Sequence, residues 1–235
     1  MRPGLYNISN EDGCGMLEDE SVDVIMKDGP YFLTKAEEYR VGGDSQKTTA
    51  FGEWDIGSSP SIMRLGIQED YRILKQTGSL IIWSSWQMLP EILAIAEESG
   101  FFLKRKLTWC KTKASPMFAN MGFVHATEDA IWLTKNKAWT HYYHKGMESS
   151  NNYFIHAPVS EPGRFHPCEK PVSLYYDITK RLVKRNAGSV IVEPYAGSAP
   201  MYPVAQSLGC EYYGFELNSH YVNLATKRRG ISNVL

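Results

Sequence analysis

The strongest constraint on this chain is its rhythm. Short, apolar, β-branched runs alternate with amphipathic stretches, and several runs stop at a small turn-forming segment. Residues 21–27 (SVDVIMK) read as a buried strand ending at Asp28-Gly29-Pro30. Residues 62–75 set Ile62, Leu65, Ile73 and Leu74 among polar neighbours, which predicts a helix ending at Thr77-Gly78. Residues 79–83 predict the next strand, and 88–99 a helix with Pro90 near its start and Gly100 after its end. Strands follow at 101–109 and 129–134. Residues 171–186 predict a helix that opens on Pro171 and stops before Gly188. A strand at 189–192, a loop and helix near 201–208, a strand at 212–216 and a helix from Asn218 to Arg229 complete the pattern. Such an order predicts an α/β fold with a doubly wound, mostly parallel sheet and helices on both faces. Segments 33–61 and 135–165 read as loops, the second polar with interleaved aromatics.

A chain of 235 residues suits one domain, 1–235. Its 43% hydrophobic and 22% charged content excludes a mainly disordered or collagen-like chain. There is no apolar run of about 18 residues, so no membrane span is expected. Residues 1–10 lack the apolar core of a secretory signal. Cys14, Cys110, Cys168 and Cys210 form no C-x-x-C pair, which argues against a disulfide framework or zinc cluster and for a reducing cytosol. Charge is unevenly spread: residues 1–100 hold 8 Lys and Arg against 17 Asp and Glu, and residues 101–235 hold 17 against 9. The basic half suits phosphate contacts. One domain whose surface mixes both halves is the simpler reading of the same numbers.

Four local patterns carry chemistry. Asp28-Gly29-Pro30-Tyr31 ends a predicted strand, where a carboxylate, a turn carbonyl and an aromatic ring suit a flat, amine-bearing substrate. An ordinary Asp-Gly-Pro turn has the same sequence. Residues 190–199 (VIVEPYAGSA) join a strand, an acid, a small-residue loop and a helix start, which lets a ligand approach backbone at Ala196, Gly197 and Ser198. The spacing is neither G-x-G-x-x-G nor a P-loop, and a plain tight turn remains open. Tyr213-Gly-Phe-Glu216 ends the next strand with an acid about 20 residues after a glycine loop, where ribose hydroxyls are held in dinucleotide folds. A solvated strand-end charge is the alternative. His166-Pro-Cys-Glu-Lys-Pro171 is a turn fixed by two prolines, with His166 and Lys170 as donors.

Together these segments resemble the β group of amino-directed DNA methyltransferases, which carry D-P-P-Y, H-P-T-x-K-P, D-P-F-A-G-S-G-T and G-x-E-x-N in that order. Here the corresponding segments are Asp28-Gly-Pro-Tyr31, His166-Pro-Cys-Glu-Lys-Pro171, Glu193-Pro-Tyr-Ala-Gly-Ser-Ala-Pro200 and Gly214-Phe-Glu-Leu-Asn218. Ser21-Val-Asp-Val, Trp54-Asp55, Arg72-Ile-Leu-Lys75, Trp109-Cys-Lys111 and Glu128 echo the family between them.

The resemblance implies a seven-stranded, Rossmann-like methyltransferase fold that binds S-adenosylmethionine and releases S-adenosylhomocysteine, with no metal. It implies that Glu193, Tyr195, Ala196, Gly197 and Ser198 hold the methionine part and Glu216 the ribose, with Asn218 beside it. His166, Lys170 and Pro171 are expected near the methionine end, with Asp28 close to the cofactor and Asp12 near the adenine. Asp28, Gly29, Pro30 and Tyr31 are expected to hold a base flipped from the duplex. An initial Asp points to adenine N6, against cytosine N4 in members that begin with Ser. A homologue that keeps the fold but not the transfer is the rival outside the enzyme class. Segment 135–165 is the expected target-recognition insert. Lys135, Lys137, Lys145 and Arg164 would meet phosphates, and Trp139, Tyr142 and Tyr143 would stack or wedge. DNA is the implied partner, a homodimer and a cognate restriction endonuclease are left open, and a cytoplasmic bacterial, archaeal or phage setting follows. Gly29 and Ala199-Pro200 depart from the family pattern. Gly29→Pro is expected to be tolerated, and Ala199 to set a methyl where backbone approaches the cofactor.

Overall fold

The computed structural model describes residues 1–29, 60–113, 123–138, 150–160, 166, 168–184 and 186–231. Eight strands form one sheet in the order β1-β8-β7-β2-β3-β5-β4-β6. They are β1 (Gly4–Tyr6), β2 (Val22–Lys27), β3 (Leu74–Ser84), β4 (Phe102–Lys111), β5 (Thr127–Thr134), β6 (Tyr153–His156), β7 (Val190–Glu193) and β8 (Glu211–Phe215). Only β5 runs against its neighbours; every other pairing is parallel. The sheet is therefore doubly wound and mostly parallel, as the alternation predicts. Among the described residues it has eight strands against the expected seven; β1 and β6, which close its two edges, are the two that the apolar runs do not announce. β6 lies inside the segment expected to be a loop.

The central strands are buried on both faces, which is why they read as unbroken apolar runs. Val24 and Met26 of β2 pack into a core with α4 (Val172–Thr179), α5 (Met201–Leu208) and α6 (Ser219–Arg229). Ile25 of β2 faces the other core, built with α1 (Asn10–Gly15), α2 (Pro60–Ile73) and α3 (Leu89–Glu98). Ser9 caps α1, Asn218 caps α6, and Gly209 and Gly230 end α5 and α6 in the left-handed region.

Two expected boundaries move. The helix after Pro171 stops at Thr179, because the next amides bond three residues back: Arg181 N to Ile178 O at 3.4 Å and Leu182 N to Thr179 O at 2.8 Å. The turn expected at Thr77-Gly78 is absorbed into β3. Val22 pairs Leu74 and Val24 pairs Ser79, so the strand bulges and continues. No helix among the described residues is long and apolar enough to cross a membrane.

One buried ion pair fastens the end of β2. Lys27 donates to Asp70 of α2 and to the Gly66 carbonyl at 3.3 Å. Both charges are buried, and Asp70 Oδ1 has no hydrogen-bond partner among the described residues. Burial pushes the Asp70 carboxyl up, against the pull of Lys27. Removing one partner strands the other charge in an apolar layer. We therefore expect Lys27→Met to cost about 3–5 kcal/mol in urea unfolding. Adding Asp70→Leu is expected to restore most of that loss. A double variant no more stable than Lys27→Met would refute this account of the pair.

Candidate active site at the carboxyl ends of the central strands

The chain winds from β2 to β3 in one direction and from β7 to β8 in the other. The crevice between the carboxyl ends of β2 and β7 is thus the switch point where open α/β sheets bind ligands. Asp28 and Gly29 follow β2 on one side, and the 194–200 loop follows β7 on the other.

Asp28 lies in a charged cluster. The Lys170 ammonium, 2% exposed, donates to Oδ1 and Oδ2, both at 2.8 Å. Tyr175 of α4 donates its hydroxyl to Oδ2 at 3.3 Å. Lys170 also pairs with Glu128 of β5 at 3.1 Å, and Glu128 with Lys111 of β4 at 2.6 Å. Burial of Glu128 opposes ionisation, but Lys170 and Lys111 overcome it and hold the carboxyl down to about 2. Lys170 thus meets the catalytic candidate Asp28 directly. Pro171 serves as the N-cap of α4. Pro30 and Tyr31 lie outside the described residues.

The 194–200 loop is held from several sides. Ala196 N donates to Phe215 O at 2.8 Å, and Gly197 N to Glu216 Oε2 at 2.8 Å. Gly197 has φ +48°, and a Cβ there would meet His166 Nε2 at 3.3 Å, so glycine suits both the angle and the space. Ala199 takes φ +50° where the resembled motif has glycine, a costly angle for an L-residue. Its methyl is buried in the core with Met201 and Val204, not set toward the crevice as expected. Ser198 is buried, and its carbonyl accepts from Arg229 Nε at 3.3 Å.

Glu193 supports the loop from below instead of lining the crevice. It is 2% exposed, accepts from Tyr212 OH at 2.7 Å and receives the Met201 amide at the start of α5. Burial raises its carboxyl far above the usual range. Glu216 sits at the rim as the spacing implies. Its Oε1 accepts from Asn218 N at 2.8 Å, and burial raises it despite the bonds from Asn218 and Gly197. The Asn218 side chain is spent on the His220 amide as the α6 cap. Asp12 is likewise drawn into the α1 cap: its amide donates to Ser9 Oγ at 3.0 Å and its carboxylate accepts from the Ser9 hydroxyl at 2.9 Å. Asn7 also lies against this strand end, its side-chain amide donating to the Glu216 and Leu217 carbonyls at 2.9 Å. An isolated Asn after a three-residue strand carries no sequence signal.

The 166–171 turn joins the two sides. His166 Nδ1 accepts from Cys168 N at 3.3 Å, which leaves its proton on Nε2, facing Gly197. Burial and the nearby Lys170 charge push the ring down to about 4, so it is neutral at pH 7. Glu169, buried, pairs with Arg228 at 3.0 Å and Arg229 at 3.3 Å of α6. Neighbouring residues thus reach opposite ways, Glu169 to α6 and Lys170 to β2.

The DNA-facing set is corrected in part. Lys135 is buried, bonded to Glu20 and the Leu74 carbonyl at 2.9 Å, because it leaves β5 at the amino end of β3. Lys137 is exposed but lies at that same far edge, over the Phe102 ring. Neither reaches the crevice. Trp139, Tyr142, Tyr143, Lys145 and Arg164 lie outside the described residues.

Comparison with known proteins agrees with this arrangement. A family model for N6/N4 methyltransferases, described as DNA methylase, matches residues 22–227. Type II methyltransferase M.HinfI of Haemophilus influenzae is 30% identical over 234 residues, covering 90% of this chain and 64% of that protein. The chain thus spans less than two thirds of that relative's length. Type II methyltransferase M2.DpnII of Streptococcus pneumoniae is 29% identical over 232 residues, covering 92% and 85%. The structure titled as the M1.HpyAVI–SAM complex shares the fold with TM-score 0.70 at 19% identity, covering 96% of this chain and 98% of that one. PvuII DNA methyltransferase, titled cytosine-N4-specific, does so with TM-score 0.75 at 15% identity, covering 97% and 89%.

Gly29 is where the structure departs from the expected tolerance of proline. A Cβ at Gly29 would stand 2.8 Å from both Cδ2 and Cε2 of Tyr195, closer than real Cβ contacts. Tyr195 has little room to yield, since Lys27 sits over its ring at 5.8 Å and Asn10 contacts its hydroxyl at 3.4 Å. Gly29→Pro is therefore expected to lose about 1–3 kcal/mol by overpacking. In a thermal-unfolding double-mutant cycle, Tyr195→Ala should relieve that loss, with a coupling of about 0.5–3 kcal/mol. Strict additivity would show that the two residues do not compete for one space.

Proposed function

The chain belongs to the N6/N4 DNA methylase family, and from that premise we propose that it transfers a methyl group from S-adenosylmethionine to the N6 amine of an adenine flipped out of DNA. The observation that carries this reading is the placement of Asp28 and the Gly29 carbonyl across the β2/β7 crevice from the 194–200 loop. An exocyclic amine is a poor nucleophile, because its lone pair is delocalised into the ring. Two acceptors, Asp28 and the Gly29 carbonyl, draw its hydrogens and turn the nitrogen toward tetrahedral geometry. The gain is positioning plus stabilisation of the cationic amine as it forms. Tyr31 supplies a stacking face for the base in this reading.

The residues present suit the cofactor. Gly197, in the left-handed region with no space for a side chain, leaves the loop backbone open to a ligand. Glu216 offers a rim carboxylate whose oxygens each accept a backbone amide and retain further lone pairs for a diol. His166, neutral with its proton on Nε2 beside Gly197, adds a donor near an amino-acid carboxylate. When bound, the cofactor supplies a methyl group on a cationic sulfur that needs no further activation. Glu193 and Arg229 act beneath, by fixing the loop.

Adenine is favoured by the initial Asp of the 28–31 segment. The reading extends to a cytoplasmic protein of bacterial, archaeal or phage origin that works on DNA. Target reading falls to segment 135–165, with Trp139, Tyr142, Tyr143, Lys145 and Arg164 as its DNA-facing groups.

The test is label transfer to mixed-sequence DNA followed by nucleoside analysis. N6-methyladenine is the expected product. N4-methylcytosine would overturn the base assignment, and absence of label would overturn the activity. Two variants separate the roles. Asp28→Ala should abolish transfer while keeping cofactor binding, since Glu128 remains as counter-charge to Lys170. Glu216→Ala should weaken the cofactor by about 1.5–3 kcal/mol in calorimetry, the worth of hydrogen bonds to a charged group. Unchanged affinity would return Glu216 to a purely structural part.

A further inference from the structure

We propose that Glu128 is a positioning residue for transfer: it takes a share of the Lys170 charge so that Asp28 keeps acceptor strength for the substrate amine, and Lys111 sets how large that share is. The inference rests on the methyl-transfer reading of the crevice. Its basis is a row of four alternating charges drawn from four parts of the fold. Lys111 ends β4, Glu128 lies on β5, Lys170 on the 166–171 turn and Asp28 after β2. The links are 2.6 Å, 3.1 Å and a forked 2.8 Å pair.

Chemistry explains why the row must be longer than a pair. An ammonium has three N–H donors. Two meet the oxygens of Asp28, and Glu128 Oε2 stands at 3.1 Å for the third. Among the described residues these three acceptors surround the nitrogen and orient the Asp28 carboxylate toward it. Without the charge on Glu128, the buried ammonium would be balanced chiefly by Asp28. The carboxylate would then be a weaker acceptor, and the amine would compete with Lys170 for the same oxygens. Lys111 works in the opposite sense, because it withdraws charge from Glu128.

Other groups face the same centre and are held constant in the test. Tyr175 of α4 bonds Asp28, and the rings of Trp83 and Trp109 lie 5.6 Å from Lys170 and 5.1 Å from Lys111. His166 senses Lys170, and Glu193 senses Asp28. The Tyr175 hydroxyl carries no charge to balance Lys170, and the Glu193 carboxyl accepts from Tyr212 and the Met201 amide instead, so neither replaces Glu128 as a counter-charge.

The sign of the effect can be worked out in advance. Glu128→Gln removes a negative charge, which disfavours protonated Asp28 and moves its titration to lower pH. Lys111→Met removes a positive charge and moves it to higher pH. Carboxyl-carbon NMR of aspartate-labelled protein reads this directly, and single-turnover transfer across pH reads it through the acid limb. Glu128→Gln should also lower the plateau rate by between about tenfold and about 100-fold, the scale of a misaimed reacting group. Cofactor affinity should stay unchanged in both variants, and Glu128→Asp should recover part of the rate.

Equal rates and an unmoved Asp28 titration in folded Glu128→Gln would overturn the inference. So would shifts of the same sign in the two variants. If Glu128→Gln does not fold, Lys111→Met decides alone: an upward shift supports the row, and no shift refutes it. If the native protein transfers no methyl group yet Asp28 shifts as described, the functional reading fails and the charge row stands.

Discussion

Two consecutive residues at the end of β2 are each tied to a different layer by a buried lysine-carboxylate pair, and the crevice depends on that arrangement. Side chains alternate across a strand, so Lys27 points toward α2 and Asp28 toward α4. Lys27 meets Asp70, and Asp28 meets Lys170. Desolvating such pairs costs several kcal/mol per ion, so they add little net stability over apolar packing. What they supply is aim. The backbone between them cannot rotate without breaking one pair, and the Gly29 carbonyl follows directly from it.

The 166–171 turn extends this aim to the loop across the crevice. Its opposite charges divide the work: Lys170 fixes the acid after β2, and Glu169 holds Arg228 and Arg229. Arg229 in turn reaches the Ser198 carbonyl, and the neutral His166 ring stands against Gly197. A displacement of the 194–200 loop is therefore transmitted to the partner of Asp28 through one short, proline-bounded segment. The two halves of the site share this support in addition to the direct packing of the Tyr195 ring against Gly29.

Much of this was legible in the sequence, because the central strands are buried on both faces and betray themselves by composition. β2, β7 and β8 fall where apolar runs predict them, β3 contains its predicted run but starts earlier, at Leu74, and Glu216 sits at the expected strand end. β1 and β6 escape notice because three and four residues are too few to show a period. α1, six residues with two glycines, is set by its Ser9 cap and by contact with the sheet rather than by propensity. Charged residues were hardest to read. Lys135 looks like a surface cation in a polar segment, yet β5 delivers it to the far edge, under Tyr71 and beside Glu20. Lysine type and spacing carry no information about which edge a reversed strand ends on. Asp12 and Asn218 are absorbed by local capping, a demand that competes with any ligand role for the same side chains.

The departures from the resembled motifs make sense as local exchanges. The resembled motifs pair proline with an aromatic ring at these two positions, whereas in this chain the Tyr195 ring stands where a Cβ at 29 would be. That ring is not idle filling, because it sits beside the buried Lys27 and contacts Asn10 of α1. It therefore adds to the pinning of β2 what the missing proline would have added to the turn. Ala199 follows the same logic in reverse. Its left-handed angle costs about 1–2 kcal/mol, but its methyl joins the core under α5, where a glycine would leave a gap. In both places rigidity is moved from the backbone into packing on the layer below. The loop keeps a glycine at Gly197, where the left-handed angle and the His166 ring 3.3 Å from a would-be Cβ both disfavour a side chain.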